Sequence, residues 1–254
     1  MKVTFLGTGT SQGVPVIACK CEVCQSVDFR DKRTRTSIYI EIDGLHLVID
    51  TGTDFRTQML REGITQLDAV IFTHQHKDHT AGLDDIRPFY FQNRADMPIY
   101  ATKPVIDQLQ QEFAYIFAEH KYPGVPGVII NYIERDSPFK IKDTTIIPIE
   151  VMHYKLPVLG FRFNDFSYIT DANHIEEQEL EKLAGSEVLV LNALHHDEHI
   201  SHFNLKQAIE VAKRVNAKQT YFTHMSHRMG LHQEVSKTLP KNMAFAYDGL
   251  KLEL

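Results

Sequence analysis

Ile71-Phe72-Thr73-His74-Gln75-His76-Lys77-Asp78-His79-Thr80-Ala81-Gly82 places three histidines and an aspartate within six positions, directly after the apolar run Ala69 to Phe72. A short apolar run closed by a polar segment reads as a buried strand ending in a turn. A strand end can deliver several side chains to one point. Imidazole and carboxylate are ligands that Zn²⁺ and Mn²⁺ accept. The uneven spacing lets the four residues divide between two ions, His74 and His76 on one, Asp78 and His79 on its neighbour. Without a metal, four polar groups crowded at a strand end would need four separate partners.

The HxHxDH pattern at the end of an apolar strand resembles the signature of the metallo-β-lactamase superfamily. That resemblance implies an α/β fold, a four-layer αββα sandwich, and a two-metal hydrolase. We read residues 1–254 as one domain of this kind, a length able to bury a large core.

Composition narrows the function. A formal charge of -6 and the lack of a Lys/Arg stripe exclude a general attraction to long nucleic acid, although bound divalent cations would still attract a small phosphate. No apolar run approaches the ~18 to 20 residues of a membrane span. The N-terminal segment, too short in its apolar part for a signal peptide, passes straight into a strand at Lys2 to Leu6, so a cytoplasmic location without membrane partners is expected. Gly7-Thr8-Gly9-Thr10-Ser11-Gln12-Gly13 is not a phosphate-binding P-loop, because no Gly-Lys-Ser/Thr closes it.

All three cysteines lie in Cys19-Lys20-Cys21-Glu22-Val23-Cys24. Three thiols cannot complete a disulfide framework, and thiolate ligation of a structural Zn²⁺ is the better account. A fourth ligand is then required from elsewhere, with His227 preferred and His232 as the alternative.

Further along, Thr36–Glu41 and Leu45–Ile49 read as a hairpin turning at Asp43-Gly44. Asp50 at its end is expected to orient a metal ligand rather than bind an ion. Thr53 is expected to cap a helix to Glu62 with Phe55, Met59 and Leu60 inward and Gly63 as its stop, and a second helix is expected over Pro104–Glu119. The aromatic groups around Phe89 and Phe113 serve the core, wall a pocket or pair two subunits as a homodimer. His153 and Asp171 each follow an apolar strand. Asn173 and Glu176 suggest a capping box, and Asn204 caps a helix just after His202, a place favoured by phosphate oxygens. His224 closes the strand Thr220–Phe222. Spacing alone assigns no role to His195, His196 or His199.

Taken with HxHxDH, the CxCxxC cluster, the late His and Asp, the His before a helix and the final THxSH resemble the PhnP-type phosphodiesterases, which hydrolyse cyclic ribose phosphates. The resemblance implies two active-site ions, Zn²⁺ or Mn²⁺, and a separate structural Zn²⁺. His74, His76, His153 and Asp171 would hold the first ion; Asp78, His79, Asp171 and His224 the second. Cys19, Cys21, Cys24 and His227 would hold the structural zinc. His202 and Asp78 would be the catalytic residues for hydroxide attack on a small phosphodiester. Two other classes remain: a hydrolase of a thioester or lactone, and a non-catalytic binding protein similar to PqqB, against which the intact HxHxDH argues.

Overall fold

In the computed structural model, which describes residues 1–254, strand β1 (Lys2–Gly7) runs antiparallel to β2 (Ser37–Ile42). β2 turns back through Asp43-Gly44 into β3 (Leu45–Ile49). Asp43 and Gly44 take φ of 51° and 74°, the positive values that a two-residue hairpin needs and that Asp-Gly adopts at little cost. Three parallel neighbours follow: β4 (Ala69–Ile71), β5 (Met97–Ala101) and β6 (Val128–Tyr132).

The second half repeats the scheme. β7 (Phe139–Ile141), β8 (Thr144–His153), β9 (Leu156–Phe163) and β10 (Phe166–Tyr168) are antiparallel, and β11 (Val188–Asn192), β12 (Gln219–Thr223) and β13 (Met243–Phe245) continue in parallel. β14 (Lys251–Glu253) crosses back to pair with β1. The result is two seven-stranded sheets, β14-β1-β2-β3-β4-β5-β6 and β13-β12-β11-β10-β9-β8-β7.

Between them lies a cluster drawn from both inner faces, including Phe5, Ile38, Ile40 and Ile71 from the first sheet and Phe161, Phe163, Phe166 and Tyr168 from the second. Each outer face is covered by helices. Phe55, Ile106 and Leu109 seal the first sheet, and Leu183, Leu205, Ala208 and Ala212 the second. Full burial of such a side chain is worth about 1.5–3 kcal/mol, so all three interlayer cores contribute to holding the sandwich. The expected helix–sheet–sheet–helix layering is present.

Several local expectations are corrected. The helix after β3 spans Phe55–Glu62; its N-cap is Asp54, without a side-chain cap bond, so Thr53 is not the cap. Asp54 instead pairs with Arg35 at 3.1 Å. Leu60 faces solvent, and Gln58 takes the inward position through bonds from Nε2 to the Thr34 hydroxyl and the Arg35 carbonyl. Gly63 ends the helix in the left-handed conformation, as the sequence indicates. The helix expected over Pro104–Glu119 breaks at Phe113 into Lys103–Glu112 and Ala114–Phe117. Asn173 and Glu176 form no capping box; the helix Glu177–Leu183 starts after Glu176 without a side-chain cap bond. The capping box of Asn204 with Gln207 is present on Leu205–Val215. No helix is long and apolar enough to cross a membrane.

Candidate metal centres

Polar residues collect where β3, β4, β8, β10 and β12 end. Asp50 follows β3, the segment His74–His79 follows β4, His153 ends β8, Asp171 lies past β10, and His224 follows β12. In open α/β sheets the carboxyl ends of strands are where a crevice for ligands forms. Asp50, Asp171 and His224 take φ of 66°, 56° and 56°. Non-glycine residues rarely adopt such values, and they persist where the surroundings over-determine them, often at functional sites.

The metal turn presses against the end of β3 at two glycines. A Cβ on Gly52 would lie 2.1 Å from the Asp78 carbonyl oxygen, and one on Gly82 would lie 2.2 Å from the Gly52 carbonyl oxygen. This close approach lets Thr51 N–H donate to His79 O and Gly82 N–H to Thr51 O, both at 2.8 Å. Asp50 then lies under the turn. Its carboxylate accepts from Thr73 N–H at 2.9 Å, the Thr73 hydroxyl at 2.8 Å and His79 Nδ1 at 2.7 Å. A carboxylate on one ring nitrogen fixes the tautomer and turns the other toward a metal. His153 is oriented similarly, with Nδ1 donating to the Ser201 carbonyl at 2.8 Å.

The other ring nitrogens converge. His79 Nε2 lies 3.2 Å from Asp171 Oδ2 and 3.3 Å from Asp78 Oδ2, and His224 Nε2 lies 3.2 Å from Asp171 Oδ1. Three sets of ligand atoms lie mutually within 4.8 Å: His74, His79 and Asp171; Asp78, His79 and His224; His153, Asp171 and His202. Asp171 belongs to two of these sets. His76 joins none of them, but its ring sits 4.6 Å from that of His74 and 5.1 Å from that of His153. His202 stacks on His224 at 4.8 Å and lies 4.5 Å from His153.

The protonation pattern suits a cation. Burial, reinforced by neighbouring histidines, pushes the imidazoles of His74, His76 and His224 below their ordinary range, leaving neutral rings. Burial opposes charge on His79 too, but Asp171, Asp50 and Asp78 hold it well above its usual value. Burial likewise resists ionisation of Asp171, yet His224 and His79 hold its carboxyl well below the usual range. Burial and then His224 push His202 down to about 2.

Buried polar atoms without hydrogen-bond partners decide the fit. His74 Nε2, His79 Nε2 and both ring nitrogens of His224 are in this state, as is Nδ1 of His202. Each such atom carries a desolvation cost of about 1–3 kcal/mol, which ligation removes. Four neutral or orientable nitrogens beside two carboxylates are a donor set for a divalent metal.

A second cluster stands apart from this one. Cys19, Cys21 and Cys24 bring their sulfurs to 3.3, 3.4 and 3.5 Å from Nδ1 of His227. One nitrogen cannot bond all three thiols, whereas tetrahedral zinc with Zn–S of ~2.3 Å and Zn–N of ~2.0 Å sets sulfur and nitrogen ~3.5 Å apart. His232 is elsewhere, with its N–H donating to Asp31 and Nδ1 3.1 Å from the Arg33 guanidinium. Of the two histidines the sequence left open, His227 is the one that meets the three thiols.

Sequence reading missed the threonines that brace the site. Thr73 donates beneath His74, and the Thr170 hydroxyl donates to Asp171 Oδ2 at 2.7 Å. A signal was present: a threonine directly precedes His74, Asp171 and His224. The Ser201 carbonyl that orients His153 had no signal, since its role depends only on where its loop lands.

A double mixed sheet with this ligand set on its strand ends belongs to a metallo-β-lactamase-fold hydrolase. Comparison with known proteins agrees. The chain is a member of the β-lactamase superfamily, whose beta-lactamase superfamily domain model matches residues 46–225. A diphosphatase from the PhnP family superposes with a TM-score of 0.93 at 39% identity, covering 100% of this chain and 97% of that one. An octanoyltransferase of Porphyromonas gingivalis is 39% identical over 253 residues, which is 99% of this chain and 51% of that protein. The chain therefore spans about half the length of that relative. Zn²⁺-bound PqqB from Methylobacterium extorquens superposes with a TM-score of 0.81 at 18% identity, with 100% of each chain covered, a likeness of fold alone.

Proposed function

We propose that this protein hydrolyses a small phosphodiester, one that includes cyclic phosphates, with two divalent ions at the strand ends and a structural Zn²⁺ at the cysteines. The carrying observation is the place of Asp171 between the two groups of ligands: its oxygens lie within 4.8 Å of ring nitrogens of His74 and His153 on one side, and 3.2 Å from Nε2 of His79 and of His224 on the other. A carboxylate between two such groups suits a bridge between neighbouring ions. His74, His76, His153 and Asp171 would hold one ion, and Asp78, His79, Asp171 and His224 the other. When bound, such ions supply a nucleophile at neutral pH and neutralise phosphoryl charge.

The chain's own residues supply orientation and a proton-bearing donor. Asp50 fixes the His79 ring, and the Ser201 carbonyl fixes His153. Asp78 faces His79 across the centre and would position the attacking water as well as bind metal. His202 lies between His153 and His224, and burial keeps its ring neutral. A neutral ring can donate an N–H to a phosphoryl oxygen and stabilise it as charge builds. The PhnP-family diphosphatase supports phosphoryl chemistry at this site. It also favours a second reading, cleavage of a diphosphate, in which the bond broken joins a bridging oxygen to phosphorus. Acyl chemistry has weaker support, because about half of the octanoyltransferase lies outside the match. The net charge of -6 and the polar site favour a small substrate over long nucleic acid or a membrane, and a cytoplasmic setting fits cysteines that form no disulfide.

The test is hydrolysis of bis(p-nitrophenyl) phosphate, a nucleotide diphosphate, a thioester and a lactone by protein loaded with Mn²⁺ or Zn²⁺, with a chelated control. Metal-dependent turnover of the phosphodiester supports the proposal. Turnover of the diphosphate alone selects the second reading. Turnover of only the acyl substrates, or of none by fully loaded protein, refutes phosphoryl transfer and favours an ester hydrolase or a binding protein.

A further inference from the structure

The two clusters share one short segment after β12. His224 belongs to the strand-end centre, and His227, three residues on, meets the cysteines. Three residues span at most about 11 Å when fully extended, so the two positions cannot move far independently.

The strand-end histidines are not all held alike. His79 Nδ1 rests on Asp50 and His153 Nδ1 on the Ser201 carbonyl, while His74 Nδ1 lies 2.9 Å from the Thr73 hydroxyl. His224 lacks such a brace, since neither of its buried ring nitrogens meets a hydrogen-bond partner. Its ring stacks on that of His202 at 4.8 Å, which limits its tilt but not its reach. The place of this imidazole therefore follows from its backbone. That backbone takes φ of 56°, a conformation that persists only where the surroundings over-determine it.

Those surroundings lead to the cysteines. The buried Met225 donates its N–H to the Thr8 carbonyl at 2.9 Å, and its carbonyl accepts from Thr10 N–H at 3.1 Å. The loop that braces Met225 continues to Val14, which exchanges two backbone hydrogen bonds with Arg33 at 2.7 and 2.8 Å. It then reaches Val16, whose N–H donates to Cys24 Sγ at 3.3 Å, and enters the cysteine segment at Cys19. An ion held by the thiols and His227 closes a ring. The ring runs from Met225 to Thr10, along the chain to Cys19, and through the ion to His227. Apolar packing adds little to this lobe, whose buried core consists of Val14, Val23 and Cys24. Units with so small a core draw their stability from a metal.

We propose that the ion at Cys19, Cys21, Cys24 and His227 sets the position of His224, so that filling the cysteine site raises the affinity of the strand-end centre for its second ion. This inference rests on the two-ion assignment above. His227 is then a positioning residue for a ligand of the active site. The coupling is selective, because His74, His76 and His153 follow β4 or end β8, away from the segment that the ring closes. Only the ion that needs His224 should respond.

The experiment uses Mn²⁺, which suits carboxylates and leaves soft thiolates to zinc, and so reports on the strand ends alone. Free Mn²⁺ is measured by electron paramagnetic resonance during titration of wild type with zinc at its cysteines and of Cys19→Ser/Cys21→Ser. Wild type should bind two Mn²⁺ per chain. The variant should hold one of them as wild type does and the other about 10- to 100-fold more weakly, the range for losing an outer support of a ligand. Unchanged affinity for both ions, or equal weakening of both, overturns the coupling.

A second readout separates positioning from general damage. Hydrolysis of bis(p-nitrophenyl) phosphate by the variant should need correspondingly more Mn²⁺ but recover at saturation, because no group that touches substrate has been removed. A variant that has merely lost its fold would not recover; Cys21→Ser alone, at an exposed side chain, then repeats the comparison and decides it. Wild type that binds a single Mn²⁺, with an affinity that still falls in the variant, refutes the two-ion reading and leaves the coupling supported.

Discussion

Asp50 accepts a hydrogen bond from Nδ1 of His79 at 2.7 Å, with both side chains withdrawn from solvent. The bond sets the direction of His79 Nε2, which faces Asp78 and Asp171. Asp50 itself reaches no other ring nitrogen. Its replacement should weaken the centre without removing a ligand.

Asp50→Asn preserves shape but loses the charge that orients His79. Such an outer partner is worth about 10- to 100-fold in metal affinity. Competition with a chromogenic chelator should show that loss, while the cysteine-bound ion remains. Unchanged affinity would mean that His79 is positioned by other contacts.

His202 is orphaned at Nδ1 and stacked on His224, yet is not needed as a ligand in our assignment. His202→Ala should reduce turnover by about 10²- to 10⁴-fold with the metal content unchanged. Loss of an ion from this variant would make His202 a ligand and overturn the catalytic assignment.

The thiols predict their own order of reaction. The Cys24 backbone N–H is the largest influence lowering Cys21, whose thiol falls to about 6, while burial pushes Cys24 up to about 11. In zinc-stripped protein at pH 7.5, iodoacetamide should modify Cys21 well before Cys24, as followed by peptide mass spectrometry. Zinc should protect both. Equal rates in the stripped protein would show that the cluster does not keep this geometry without metal.

The metal-free protein should lose stability as pH falls from 6.5 to 5. Burial, followed by Arg33, holds His232 down to about 4, and burial with His224 holds His202 down to about 2. These rings are neutral when folded but bind protons when unfolded, so the unfolded state gains protons first. Each can contribute up to about 1.4 kcal/mol per pH unit in this window. His79 has the opposite shift; its stabilisation is fully present below its unfolded value and is lost only as pH rises through its folded one, so it adds little slope here. Urea midpoints across the window should fall with acid, and a flat or rising midpoint would contradict the burial of neutral imidazoles.

The residues that converge in the candidate site were readable because each stands at, or a few residues past, the end of an apolar strand. His74, His153, Asp171 and His224 could be located by that rule, and Asp43-Gly44 by its turn chemistry. Side chains with two possible uses were less readable. Asp54 and Asn173 both have the composition of helix caps, but Arg35 draws one away and the Tyr154 and Ile200 backbone the other. Leu60 fitted a helical stripe until Gln58 found two acceptors inside. The short strands β13 and β14 gave too little periodicity to register. Local pattern indicates which face an element can bury, whereas tertiary partners determine which polar residue is drawn inward.

The central claim is that Asp171 is shared between two ions. Elemental analysis of purified wild type and Asp171→Ala, with phosphodiester hydrolysis measured on the same samples, tests it directly. The account predicts about three divalent ions per wild-type chain, two at the strand ends and one at the cysteines, and in the variant only the cysteine-bound ion and no turnover. A variant that retained all its ions, or that still hydrolysed the diester, would contradict the bridge.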